Sequence, residues 1–209
     1  MTSATQYSIT PVTTVHLPAV VELHMQVMKT LLADLGRPFV KRFYERALVA
    51  GDAIALCAVD DNQSVIGWVM GCQDPGALHA QLKKPLPWFA LRMLEVLLTR
   101  PRVFIQLLLS LVTARSVNSG LGGGIELTYI GVSPSAQGKG VGKALLGSFL
   151  ETVRQKNIPK VLLTVETDND SALRLYHQAG FVVINSYQEG EYHRHRLELI
   201  VDPGANSPR

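Results

Sequence analysis

GVSPSAQGKGVGK, residues 131–143, decides how the rest of the chain reads. A strand-like run, ELTYIGV at 126–132, enters it, and a helix-like run, ALLGSFLETV at 144–153, leaves it. Between them Gly138, Gly140 and Gly142 alternate with Lys139, Val141 and Lys143. A strand, a glycine-rich loop and a helix in that order present bare backbone N–H groups. The first N–H groups of a helix have no internal partner, and the helix dipole favours an anion beside them. Glycine removes the Cβ that would keep an anion away. The stretch therefore predicts a phosphate-bearing ligand lying on the loop.

Three phosphate motifs compete for these residues. A P-loop needs a Ser or Thr after its Gly-Lys pair, but Ala144 follows Gly142-Lys143 and Gly140 follows Gly138-Lys139. A dinucleotide fingerprint G-x-G-x-x-G needs glycine at 143 or 145, where Lys143 and Leu145 stand. The third pattern, [Q/R]-x-x-G-x-[G/A], is met by Gln137, Gly140 and Gly142. That loop resembles the acetyl-CoA pyrophosphate loop of the GNAT superfamily of N-acetyltransferases.

Residues 161–181, VLLTVETDNDSALRLYHQAGF, strengthen the resemblance. They are similar to the second half of a GNAT core: a strand, an Asn, and a short helix ending L-Y-x-x-x-G-F. The residues themselves support that reading. Val161 to Val165 is a β-branched and leucine run of strand length. Asn169 or Asp170 can cap the next helix. Ala172, Leu175, Tyr176 and Ala179 fall on one helical face. Gly180 stands where a helix ends in the left-handed conformation. The resemblance is weak over residues 5–72 and good over 125–201.

Composition narrows the class. The chain has 209 residues, 47% of them hydrophobic, and a net charge of +3. That size suits one domain, expected to run over residues 5–201 with a polar tail at 202–209. So small a charge argues against a nucleic-acid partner. The N-terminus shows no signal-peptide pattern, and no run of ~18 apolar residues predicts a membrane-spanning helix. A cytoplasmic location is expected, with Cys57 and Cys72 as buried thiols rather than a disulfide. No Cys/His cluster has metal-ligand spacing, so no metal is expected.

In chain order, residues 7–13 alternate weakly, like a first edge strand. Residues 16–28 read as a helix, 31–36 as a turn, and 39–49 as a second helix opened by Pro38. Residues 53–59 and 65–72 are two strands joined by a polar hairpin turn. Residues 74–120 form an insertion with six basic residues against two acidic, a net charge of +4. Residues 88–98 and 102–114 read there as two helices parted by Pro101. The apolar run from Val103 to Val112 is too broad for one narrow stripe, so it is buried on most sides or lies in an interface. A lid, a homodimer surface, a wall of the acceptor site and a basic membrane-surface helix all remain open for this insertion. After Phe181, two strands close the sheet. His193 and His195 share one face of the last strand.

The resemblance implies an α+β, three-layer fold: a mixed, mostly antiparallel sheet flanked by helices, with a helical insertion between strands 3 and 4. It implies an enzyme, an acyltransferase of the N-acetyltransferase kind, with acetyl-CoA as co-substrate. By family pattern, Ile130, Gly131 and Val132 pair with the pantetheine arm at a splay beside the fifth strand, and their N–H groups polarise the thioester carbonyl. Gln137, Gly138, Lys139, Gly140, Val141, Gly142 and Lys143 wrap the pyrophosphate, and Asn169 bonds the pantetheine region. Tyr176 matches the family tyrosine beside the CoA sulfur, a general acid. Glu126 resembles the acidic residue that family members often carry at the start of the fourth strand, a general base. Tyr129 and Glu166 are alternatives for that role. A protonated alkylamine has a pKa of ~10 and must lose a proton before it attacks. Transfer would then be direct, in a ternary complex. The basic insertion and the His/Arg strand lean towards an acidic or phosphate-bearing amine such as an amino sugar. A protein N-terminus or lysine is the alternative acceptor, and a non-catalytic CoA-binding regulator or assembly protein the alternative function.

Overall fold

The computed structural model describes residues 6–105, 107, 121–189 and 192–201. Among the described residues seven strands form one sheet: β1 (Tyr7–Pro11), β2 (Ala53–Asp60), β3 (Val65–Cys72), β4 (Ile125–Val132), β5 (Lys160–Glu166), β6 (Val182–Glu189) and β7 (Tyr192–Ile200). Their order is β1-β2-β3-β4-β5-β7-β6. All neighbours pair antiparallel except β4 and β5, which run parallel.

One face is covered by α1 (Leu17–Val27) and α3 (Arg37–Val49), linked through the short helix α2 (Leu31–Leu35). Leu17, Val20, Val21, Val40, Phe43 and Tyr44 pack there against Cys57, Trp68 and Met70. The sequence reads 31–36 as a turn, but Thr30 caps a real helical turn by accepting a hydrogen bond from the Ala33 N–H at 3.3 Å. Helix α3 also starts two residues earlier than expected, because Pro38 sits inside its first turn.

The other face is covered by α6 (Val141–Gln155), numbered after the two insertion helices α4 (Pro75–Leu82) and α5 (Leu86–Thr99). Its buried side chains Val141, Leu145, Leu146, Phe149, Leu150 and Val153 fall at helical spacing along one stripe, against Ile54, Val69, Ile125 and Leu127. Helix α7 (Asp170–Gln178) completes that layer. The two layers clamp the inner strands β3 and β5, whose residues are largely buried, as strands covered on both sides must be.

The insertion is helical in its described part. Pro75 opens α4, a helix the sequence reading did not assign, and Asp74 caps it through the Ala77 N–H at 2.7 Å. Helix α5 lies on α3 through edge-to-face contacts of Phe39 with Trp88 and Phe89. Residues 101–105 are helical after Pro101, and most of the second predicted helix lies outside the described residues. So does the 202–209 tail.

Candidate functional site

The site is built on the place where the sheet stops being continuous. β4 and β5 pair only at Ile125↔Val161 and Glu126↔Leu162. Beyond those pairs β4 stays on β3 as far as Val132↔Gly67, while β5 stays on β7 as far as Glu166↔Arg194. The β5-facing backbone edge of β4 from Leu127 to Val132 is thus left without a strand partner. An open strand edge inside a sheet is a row of hydrogen-bonding groups waiting for an extended ligand. Ile130, Gly131 and Val132 lie on this edge.

A bulge tunes that edge. Met70 faces Tyr129, but Gly71 faces Leu127, so Thr128 is the extra residue of β4. The bulge reverses the side-chain alternation. Ile125 and Leu127 pack toward α6, and so do Ile130 and Val132, whereas Tyr129 joins the opposite cluster. Strict period-two reading places Glu126, Thr128, Ile130 and Val132 on one face; the bulge separates Glu126 from Ile130 and Val132.

The splay ends at the glycine loop. Gln137 accepts no side-chain cap but pins the loop itself, its Nε2 donating to the Val132 carbonyl at 3.3 Å. Gly138 and Gly140 take φ of +74° and +81°, conformations that L side chains rarely adopt. A Cβ at either would meet no protein atom within 4 Å, so the space before the loop is open. The first helical bond of α6 runs from the Ala144 N–H to the Gly140 carbonyl at 3.0 Å. The N–H groups of Val141, Gly142 and Lys143 therefore head the helix without intrahelical partners. Lys139 and Lys143 are exposed beside them, and neither is in an ion pair among the described residues. Backbone N–H groups, the helix dipole and two cations converge here, the chemistry that an anion requires.

Gly131 is constrained differently. A Cβ there would lie 2.5 Å from Trp68 Cη2 and Cζ3, so β4 passes directly against the indole. Trp68 Nε1 donates to the Tyr44 hydroxyl at 2.7 Å, and that hydroxyl lies 2.9 Å from His24 Nδ1. An indole N–H can only donate, so Tyr44 accepts from Trp68 and gives its own proton to Nδ1. The His24 proton then sits on Nε2, which is buried and has no hydrogen-bond partner. Burial lowers the His24 pKa from 6.5 to about 4, so the ring is neutral. Its edge meets the ring of Tyr129 at 4.8 Å. Sequence reading placed His24 only within the helix expected over 16–28.

Asn169 and Tyr176 belong to the segment that follows β5, at the start of and within α7. The Asn169 side-chain oxygen accepts from the Ala172 N–H at 3.1 Å and so caps α7, which leaves its amide NH₂ available to donate. Leu175 of the same helix approaches the start of α6, 3.8 Å from where a Gly142 Cβ would be. Tyr176 is buried in the α6-side core with its ring 5.7 Å from Phe181. Burial raises its pKa above the usual phenol range, so it holds its proton at neutral pH. Its hydroxyl has no hydrogen-bond partner among the described residues.

Glu126 lies at the closed end of the splay. Its two oxygens accept from Arg196 Nη1 and Nη2 at 2.9 and 3.2 Å, and Nη1 also donates to Thr164 Oγ1 at 3.0 Å. It stands four positions before Ile130, roughly 13 Å at the usual strand rise. Tyr129, the alternative proton acceptor, has its pKa raised well above the phenol range, chiefly by burial, and cannot be an anion at neutral pH. Cys57 and Cys72 are free thiols pushed up to about 11 and about 12 by burial, which disqualifies both as nucleophiles. Among the described residues no group of three or more His, Cys, Asp or Glu is placed to hold a metal, and no helix is long and apolar enough to cross a membrane.

Known proteins share this architecture. The chain is similar to the mycothiol acetyltransferase of Renibacterium salmoninarum, 39% identical over 56 residues, or 27% of this chain and 17% of that protein. It thus aligns with about a sixth of that relative's length. The fold is shared with the ribosomal-protein-S18-alanine N-acetyltransferase of Escherichia coli at a TM-score of 0.61 and 14% identity, covering 98% of this chain and 100% of that one. A Salmonella typhimurium acetyltransferase solved with its cofactor acetyl-CoA gives 0.61 at 16% identity, covering 96% of each chain. The family model described as "Acetyltransferase (GNAT) family" matches residues 20–181, which takes in the splay, the glycine loop and Tyr176. The chain belongs to the GNAT acetyltransferase family.

Proposed function

We propose that the chain is an acetyl-CoA-dependent N-acetyltransferase that moves the acetyl group to a primary amine by direct transfer in a ternary complex. The acceptor is an amino sugar or another small amine. One observation carries the reading: the unpaired edge of β4 runs straight into a loop of left-handed glycines at a helix N-terminus. An extended arm with an amide backbone and a pyrophosphate at its end fits such a track.

In this reading the pantetheine arm adds to β4 along Ile130, Gly131 and Val132, and the loop from Gln137 to Lys143 holds the pyrophosphate. Asn169 offers its free amide NH₂ to the arm. The neutral amine attacks the thioester carbonyl, a C–N bond forms, and the oxyanion is stabilised by N–H groups of the β4 edge. The C–S bond then breaks and the departing sulfur takes a proton from Tyr176, whose pKa keeps it loaded for that step. The amine's own proton leaves toward Glu126 through water, since Glu126 is too far along the strand to take it directly. No covalent enzyme intermediate is needed, in line with the two inert thiols.

The acceptor approaches from the side of Tyr129 and β7, where Arg194 supplies positive charge near the tyrosine hydroxyl. That charge suits an amine that also carries an acidic group. The test is thiol release from acetyl-CoA across amino sugars and their nucleotides, amino acids, polyamines and N-terminal peptides. Turnover with a small amine supports the reading. Turnover with peptides alone overturns the small-amine acceptor, and tight CoA binding without turnover on any amine overturns the enzyme.

A further inference from the structure

The insertion carries a surface that acetyl transfer does not use. Surface helices normally turn polar side chains outward. Helix α5 turns leucines outward instead: Leu86 is 69% exposed, Leu91 64%, Leu94 51% and Leu98 74%. Leu97 and, beyond Pro101, Ile105 extend the same apolar surface. The inner side of α5 is fully occupied, with Val96 buried, Phe39 against Trp88 and Phe89, and the Arg42 guanidinium 4.4 Å over the Trp88 ring. The exposed leucines are therefore surplus to the packing that holds the helix in place.

Charge identifies what they meet. Lys83 and Lys84 stand exposed before the leucine face, and Arg100 and Arg102 stand exposed after it. Arg100 donates to the Asp34 carbonyl at 2.7 Å, which anchors it without neutralising it. Glu95 is the only acidic residue of α5, and Arg92 pairs with it. A second copy of this chain would bring the same cations against one another around the interface. An anionic bilayer offers hydrocarbon for the leucines and headgroup charge for the cations at both ends. At 14 residues α5 is too short to span, but it can lie in the interface plane.

We propose that α5 docks on an anionic phospholipid surface, leucine face down, with Lys83, Lys84, Arg100 and Arg102 among the headgroups. Because α5 rests on α3, docking brings the α1–α3 side of the sheet close to the membrane.

The proposal is independent of the acceptor and is tested by sedimentation with vesicles of phosphatidylglycerol and phosphatidylcholine against phosphatidylcholine alone. The full chain is expected to sediment only with the mixed vesicles, and less so at high salt. Each lost cation is expected to weaken binding about 5-fold, so Lys83→Gln/Lys84→Gln weakens it about 25-fold. Leu94→Asp/Leu98→Asp, both at exposed positions, is expected to abolish it while circular dichroism is unchanged. Failure of the full chain to sediment with mixed vesicles overturns the proposal. So does binding that survives the Leu94/Leu98 pair. A dimer in solution that the Leu94/Leu98 pair dissociates, without lipid binding by the full chain, would assign the face to a second copy instead.

Discussion

Arg196 on β7 grips Glu126 on β4 with both Nη atoms, at 2.9 and 3.2 Å, across the strand that lies between them. The pair is largely shielded, with side-chain exposures of 12% and 25%. It staples the closed end of the splay at the point where β4 and β5 part. It also fixes the one carboxylate on β4, so the same contact serves the fold and the proposed proton path. Glu126→Gln keeps an oxygen for Arg196 and removes the charge. It is expected to lower kcat about 100-fold and to cost about 2 kcal/mol of stability for the unpaired guanidinium. Steady-state kinetics and urea unfolding separate the two effects, and an unchanged kcat would remove Glu126 from the chemistry.

Tyr176→Phe leaves the ring among its core neighbours and deletes only the hydroxyl. Turnover is expected to fall about 100-fold with CoA affinity kept, since the ring contact with Phe181 persists. Undiminished turnover in a chemistry-limited assay would make Tyr176 a packing residue.

His24 makes stability depend on pH. Its pKa is about 4 folded against 6.5 unfolded, so between these values the unfolded chain binds more protons. Stability is complete above pH 6.5, falls as pH drops toward 4, and is not reduced further by this group below that. The full span is worth about 3 kcal/mol. Urea midpoints at pH 7 and pH 5 measure it, and His24→Phe is expected to flatten the difference between them.

Gly131→Ala places a methyl 2.5 Å from the Trp68 ring and is expected to cost about 2 kcal/mol by forcing β4 and the indole apart. Chemical denaturation of Gly131→Ala, Trp68→Phe and the double variant checks it. A coupling energy near zero would show that the two residues do not press on one another.

Much of this architecture is local and could be read from residues 126–181. The glycine spacing fixed the loop, apolar periodicity marked α6, and the Asn169 cap and Gly180 bounded α7, because each follows from chemistry within a few residues. The splay was expected only from the family resemblance, since strand pairing between β4 and β5 is a long-range event with no local trace. The bulge at Thr128 left no sign either: one extra residue in β4 looks like ordinary strand, yet it reverses the direction of every side chain after it. The Arg196 grip on Glu126 joins residues 70 apart in sequence. Pro75 and Thr30 are local helix-start signals, at α4 and α2.

The measurement that bears most directly on the central claim is calorimetry of acetyl-CoA with the natural chain and with Gly140→Asp. Gly140 sits at φ +81°, which aspartate tolerates better than most residues, and its Cβ would meet no protein atom. The variant should therefore fold, and the new carboxylate should face whatever lies on the loop. If the loop holds the pyrophosphate, affinity falls at least about 10-fold, the loss of one hydrogen bond to a charged group. An affinity equal to that of the natural chain would contradict the assignment of the loop and, with it, the path of the cofactor along β4.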